Sequence, residues 1–250
     1  MKEPKPFAAM PIEIDLCSVD RHTGPDNSLA PASTLEVTVL ARRIRDDESL
    51  TGREGWSDAD RADVDRVIEG PPRERIAARR TLTRQALGLV AGPDAASTEI
   101  LRTCEHCGHP GHGRPRPAAG GVHISASTSG RWVVVAVAAD PVGVDVESVD
   151  AMGDPDLVAA SVLTAPELDR YLTVDERGRA EWLTGRWTRK EAVLKASGRG
   201  VPDLPEPDVS GDTVGHRGAT WIVWTWRLAP GVMLSVATGL GSRVRWVAAI

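Results

Sequence analysis

The most apolar run in the chain, Trp132–Ala139 (WVVVAVAA), constrains the fold more than any other segment. It is far too short to span a bilayer. Its β-branched residues instead mark a strand over Arg131–Ala138, and Val142–Val146 reads as a second strand. Asp140-Pro141 between them is a turn signal, so the two are expected to form a hairpin. Leu35–Leu40 alternates like another strand, and Ser57 is placed to cap a short helix. Arg73–Val90 is expected to be a helix, with Ala78, Leu82, Ala86 and Leu89 on its apolar stripe. Gly92-Pro93 should stop it. Residues 102–120 read as a loop, 156–174 and 180–197 as helical. Strands are expected over Trp221–Leu228, Val232–Thr238 and Arg243–Ala248. Such mixtures in both parts of the chain imply an α+β fold. Residues 1–33 read as a loose N-terminal extension, 34–139 as one half and 140–250 as the other.

A formal net charge of −5 argues against a dedicated nucleic-acid binder. Three cysteines, Cys17, Cys104 and Cys107, are too few for a disulfide framework. The N-terminal residues lack the long apolar core of a signal peptide, so a cytoplasmic protein with no membrane association is expected. The basic residues are lopsided: of 30, only Lys2, Lys5, Lys190 and Lys195 are lysine. Two lysines five residues apart therefore stand out against an arginine background.

Those lysines lie in Trp187–Lys195 (WTRKEAVLK), where Trp187, Glu191 and Lys195 share a helical stripe. A surface Glu→Lys pair would explain that spacing, but a chain that writes Arg elsewhere would write Arg there. Lys is a compact point charge that can approach a phosphate; Arg is a planar fork. Upstream, Val142–Glu147 (VGVDVE) puts Asp145 and Glu147 on one strand face. Paired carboxylates suit a hard cation such as Mg²⁺. The commoner reason for such alternation is a strand with one face in water. Cys104, Cys107, His109 and His112 have the residue types of a zinc site, although such short arcs favour a plain surface loop.

Together, GVDVE and the later WTRKEAVLKASGRGV resemble the paired signature of the 4′-phosphopantetheinyl transferases. The chain length is similar to the large, surfactin-synthetase-activating class, in which two pseudo-symmetric halves each pack an antiparallel sheet with a long helix. Ser127–Val133 (STSGRWV) resembles the family's S-H-S-G stretch, with Thr128 in place of the histidine. Gly113-Arg114-Pro115 resembles a G-[KR]-P loop, and Thr164–Glu167 a further [ST]-x-x-E element. Arg80 sits where the family has a basic residue on a helix.

The resemblance implies transfer of the 4′-phosphopantetheine arm of coenzyme A to a serine of an apo acyl or peptidyl carrier protein. Asp145, Glu147 and Glu191 would hold Mg²⁺. Lys195, and less directly Lys190, would meet the pyrophosphate charge. Glu191, or a water held on the metal, would be the base. Arg80, Arg114, Pro115, Ser127 and Thr128 would anchor coenzyme A, with Thr128 either weakening that binding or being compensated by His123 or His112. A single chain would supply the whole site, which favours a monomer. Leu163, Leu168 and Leu172 are core or carrier-docking positions. The alternative is a catalytically silent carrier-binding or zinc-loop module on the same fold.

Overall fold

The computed structural model describes residues 20–23, 35–44, 55–103, 108, 110–198 and 204–248. In chain order these form β1 (Asp20–Thr23), β2 (Leu35–Arg43), α1 (Asp58–Asp65), α2 (Pro71–Ala91), α3 (Pro93–Ser97), β3 (Ile100–Thr103), β4 (Pro110–Pro117), β5 (His123–Ser129), β6 (Trp132–Ala138) and β7 (Val142–Ser148). There follow α4 (Pro155–Val162), α5 (Ala165–Leu172), α6 (Glu176–Ala196), β8 (Thr213–His216), β9 (Ala219–Ala229), β10 (Val232–Gly239) and β11 (Ser242–Ala248). The fold is α+β, as the sequence implies.

One sheet has the order β11-β2-β6-β5, and a second the order β1-β9-β10-β7, with β8 on β9. Pairing is antiparallel throughout both, except that β11 lies parallel to β2. β1 and β11 thus each join the sheet built mainly from the other half of the chain.

Period-two alternation sets the layers. Val133, Val135 and Val137 of β6 pack with Leu82, Ala86 and Leu87 of α2. Val134, Ala136 and Ala138 point the other way, against Val144, Val146, Leu234 and Val236 of the second sheet. The outer face of that sheet receives Ala192, Val193 and Ala196 of α6. The order is α2, sheet, sheet, α6. Each fully buried valine or leucine contributes about 1.5–3 kcal/mol.

Local signals explain most helix ends. Ser57 accepts from the Asp60 amide while Asp60 accepts from the Ser57 amide, a reciprocal cap on α1. Gly92, at φ 89°, ends α2 and Pro93 opens α3. The 156–174 stretch is two helices, because Leu163 is extended and Thr164 caps a new helix with Pro166 in its first turn.

Two expectations are corrected. β6 and β7 do not form a hairpin: β6 pairs with β5 and β2, and β7 pairs with β10. A strand apolar on both faces takes a central place with both edges filled. Asp140-Pro141 therefore marks a crossing between sheets. The 102–120 segment is also not all loop, since β3 and β4 pair within it.

Leu163 is core, Leu168 packs partly against it, and Leu172 is 62% exposed. Among the described residues, no helix is long and apolar enough to cross a membrane.

Candidate functional site

Gly143, Asp145 and Glu147 occupy the β7 face that meets α6. A Cβ on Gly143 would lie 1.8 Å from the Ala192 carbonyl oxygen and 2.6 Å from the Ala196 amide nitrogen. Glycine thus lets α6 cross β7 backbone to backbone. This face is covered by a helix, so water does not explain its polarity, and Asp145 is only 5% exposed.

The crossing sets Glu191 and Lys195, one helical turn apart, over the strand carboxylates. Lys195 Nζ donates to Asp145 Oδ1 at 2.6 Å and to the Val144 carbonyl at 3.3 Å, and lies 3.9 Å from Glu191 Oε2. β5 supports the acids from the other side. Ser127 Oγ donates to Asp145 Oδ1 at 2.7 Å, and Ser129 Oγ donates to Glu147 Oε1. Ser125 Oγ and Ser129 Oγ accept from the amides of Val144 and Ser148, at 2.9 and 3.0 Å. β5 and β7 are edge strands of different sheets, and serine side chains stitch them together.

Burial raises the Glu191 pKa first; Asp145 and Glu147 raise it further, and Lys195 opposes them. With all groups ionised, three carboxylates face one ammonium, a net of two negative charges. Asp145 Oδ2 is buried with no hydrogen-bond partner. Carboxylate oxygens are the donors a hard divalent cation takes, and the orphaned oxygen gives it a ligand. The three carboxylates therefore fit such an ion in chemistry and charge. Among the described residues, no three His, Cys, Asp or Glu side chains are already gathered as a metal centre. Glu147 is turned to Ser129, and the ammonium sits on Asp145.

Other expected residues lie elsewhere. Lys190 is fully buried, 2.6 Å from Glu167 Oε2, and donates to the Pro205 and Pro207 carbonyls. It meets no phosphate-accessible surface. Glu167 also caps Thr164 and accepts from the Val209 amide, so the Thr164–Glu167 element is a buried helix cap. Arg80 is 5% exposed and paired with Asp60 and Asp63 of α1. Arg114 donates to the carbonyls of Val142, Lys195 and Ala196, clamping the C-terminal end of α6. Pro115 lies opposite Arg102 in the β3–β4 pair. Thr128 is on the opposite face of β5 from Ser127 and Ser129. Burial and Arg114 hold His123 below its usual pKa. Cys104, Cys107 and His109, and the His112 side chain, lie outside the described residues.

Two residues escaped the sequence reading. Arg79 and Arg102 each carry a buried Nε with no hydrogen-bond partner. Burial, then Arg80 and Arg79, push the Arg102 pKa down to about 10. Positive charge is in excess there. The five arginines in Pro71–Val90 hinted at Arg79; nothing in the sequence singles out Arg102.

Residues 141–229, which hold both acid strand and Lys195 helix, match the family model of the 4′-phosphopantetheinyl transferase superfamily. Over 71 residues the chain is 31% identical to the holo-[acyl-carrier-protein] synthase of Streptococcus suis, covering 27% of this chain and 60% of that protein. It is 28% identical over 79 residues to 4′-phosphopantetheinyl transferase Sfp of Bacillus subtilis, covering 32% and 34%. It is 29% identical over 125 residues to 4′-phosphopantetheinyl transferase psf-1 of Bacillus pumilus, covering 46% and 52%. The matched stretches span from about a third to three-fifths of these curated relatives. The matches bear out the resemblance carried by the two motifs.

Proposed function

We propose that the chain is a Mg²⁺-dependent 4′-phosphopantetheinyl transferase acting on apo acyl or peptidyl carrier proteins. The observation that carries this reading is the meeting of Asp145 and Lys195 at 2.6 Å, with Glu191 and Glu147 beside them, inside the matched segment. The carrier serine oxygen attacks the β-phosphorus of coenzyme A. The bond from that phosphorus to the bridging oxygen breaks, and adenosine 3′,5′-bisphosphate leaves.

Phosphoryl transfer of this kind needs positioning and charge neutralisation more than covalent help. Asp145, Glu147 and Glu191 would hold Mg²⁺, which when bound offsets the pyrophosphate charge. Lys195, 28% exposed at its side chain and resting on Asp145, would offer its ammonium to the leaving oxygens. Glu191, whose carboxylate has a second oxygen to offer beside the one a cation would take, accepts the serine proton. Arg79 and Arg102, each only half-buried, take nucleotide phosphates through the exposed part of their guanidinium groups. Carriers of polyketide and nonribosomal peptide synthesis, including antibiotic pathways, are the partners in this reading. A cytoplasmic monomer suffices, since one chain supplies both strands and the helix.

The test is incubation with coenzyme A, Mg²⁺ and several apo carrier proteins. A carrier mass gain of one phosphopantetheine arm, absent with Glu191→Ala, supports the transferase. No gain with any carrier would leave the silent binding module. In the active enzyme, Arg102→Ala should raise KM for coenzyme A about tenfold with kcat little changed, the loss of a charge-assisted bond made before and during reaction. Steady-state kinetics with varied coenzyme A checks this.

A further inference from the structure

Ser127 and Ser129 stand two residues apart on β5, and their hydroxyls meet two carboxylates that are two residues apart on β7. Each contact falls on one oxygen only: Oδ1 of Asp145 and Oε1 of Glu147. The Ser148 amide adds to the same Oε1 of Glu147, at 2.9 Å. Oδ2 of Asp145 is left buried without a partner.

A serine has a single O–H to donate. Both hydroxyl hydrogens are given to carboxylates here, so neither serine has one left for a phosphate. This sets Ser127 apart from the coenzyme contact that the motif implies.

We infer that Ser127 and Ser129 are positioning residues that present Asp145 and Glu147 to a cation one oxygen at a time, and so select a small ion over a large one. The inference rests on the proposed cation site. Mg²⁺ demands near-octahedral, single-oxygen ligands at short distance, whereas Ca²⁺ accepts carboxylates through both oxygens. A hydroxyl pinning one oxygen opposes that two-oxygen mode. The N-terminal sheet thereby tunes a site whose charged groups all come from the C-terminal half.

Calorimetric titration of the full chain with Mg²⁺, and separately with Ca²⁺, tests this without turnover. Wild type should take up Mg²⁺, and Asp145→Asn should abolish the uptake. Ser129→Ala should weaken Mg²⁺ binding about tenfold, as loss of a ligand's outer partner does. Ca²⁺ binding should weaken less, so the Mg²⁺/Ca²⁺ affinity ratio falls. Ser129→Thr, which keeps the hydroxyl, should restore the ratio. Ser127→Ala tests the other pair separately, so misfolding of one variant leaves the other informative. The ratio is internal to each variant, and a general loosening that weakens both ions alike would overturn the inference. An unchanged ratio in both alanine variants would do the same while the cation site stands. Wild type with no Mg²⁺ uptake sensitive to Asp145→Asn would remove the site and the inference with it.

Discussion

Gly143→Ala is expected to lower the thermal unfolding midpoint by about 10 °C, because an added methyl meets backbone rather than a yielding side chain. Its nearest neighbours would be the Ala192 carbonyl oxygen at 1.8 Å and the Ala196 amide nitrogen at 2.6 Å. Neither can step aside without moving α6 bodily. Overpacking of that kind costs at least about 3 kcal/mol. The displacement would also draw Glu191 and Lys195 away from Asp145, so carrier modification should be lost even where the protein folds. Gly185, on the same helix, is the control. A Cβ there would meet only Met233 Cε, at 3.6 Å, an ordinary contact. Ala is favoured over Gly inside a helix by about 1 kcal/mol, so Gly185→Ala should hold or raise the midpoint. Scanning calorimetry of both variants is decisive. An unchanged midpoint for Gly143→Ala would mean that the close crossing of α6 and β7 is not as described.

Lys190→Met should destabilise the fold by about 3–5 kcal/mol, the usual effect of removing one partner from a buried ion pair. The Lys190 ammonium has three donors and meets three acceptors: Glu167 Oε2, the Pro205 carbonyl and the Pro207 carbonyl, each at 2.6 Å. Burial pushes the Lys190 pKa down, against the pull of Glu167. Without the lysine, Glu167 is left at 0% exposure without its ion-pair partner, and two carbonyls lose their donor. Lys190→Arg should fare little better, since five donors in a rigid fork do not fit a three-acceptor pocket. The double variant Lys190→Met with Glu167→Gln should recover part of the loss, because the acid left without a partner is gone. Urea unfolding measures all three. If Lys190→Met instead kept wild-type stability and lost only turnover, Lys190 would belong to the chemistry and not to the scaffold.

That contrast shows what could be read from the chain. The pattern VGVDVE and the stripe Trp187, Glu191, Lys195 assign each side chain to a face, but it is the resemblance of the two motifs to a family signature that implies Asp145, Glu191 and Lys195 share one site. Strand and helix periodicities fix which side chains share a face. The same helical arithmetic separates Lys190 from Lys195, because five residues at 100° each put them on different sides. Both lysines were expected at the phosphate, and that spacing already told against one of them. Arg80 was illegible for another reason. Its partners Asp60 and Asp63 sit on a separate helix, and sequence does not say which opposite charges meet. The β6–β7 relationship was also hidden. Two apolar strands around Asp-Pro read as a hairpin, and only the apolar filling of both β6 faces favours a central place with other neighbours. The alternating serines at 125, 127 and 129 were visible, but their partners on β7 were not.

The exchange of β1 and β11 between sheets bears on the order in which the molecule can be made. β2 emerges early during synthesis, yet its parallel neighbour β11 is some two hundred residues downstream, Leu35 aligning with Ser242. β2 must therefore wait with one edge open while the acid strand, its covering helix and the β9–β10 pair are produced. Closing so long a loop costs little more in equilibrium entropy than closing a shorter one, but it delays the event. Until then the open edge is a place where another chain could pair. On this topology, the sheet that contains β2 is completed only after every strand of the other sheet has been made.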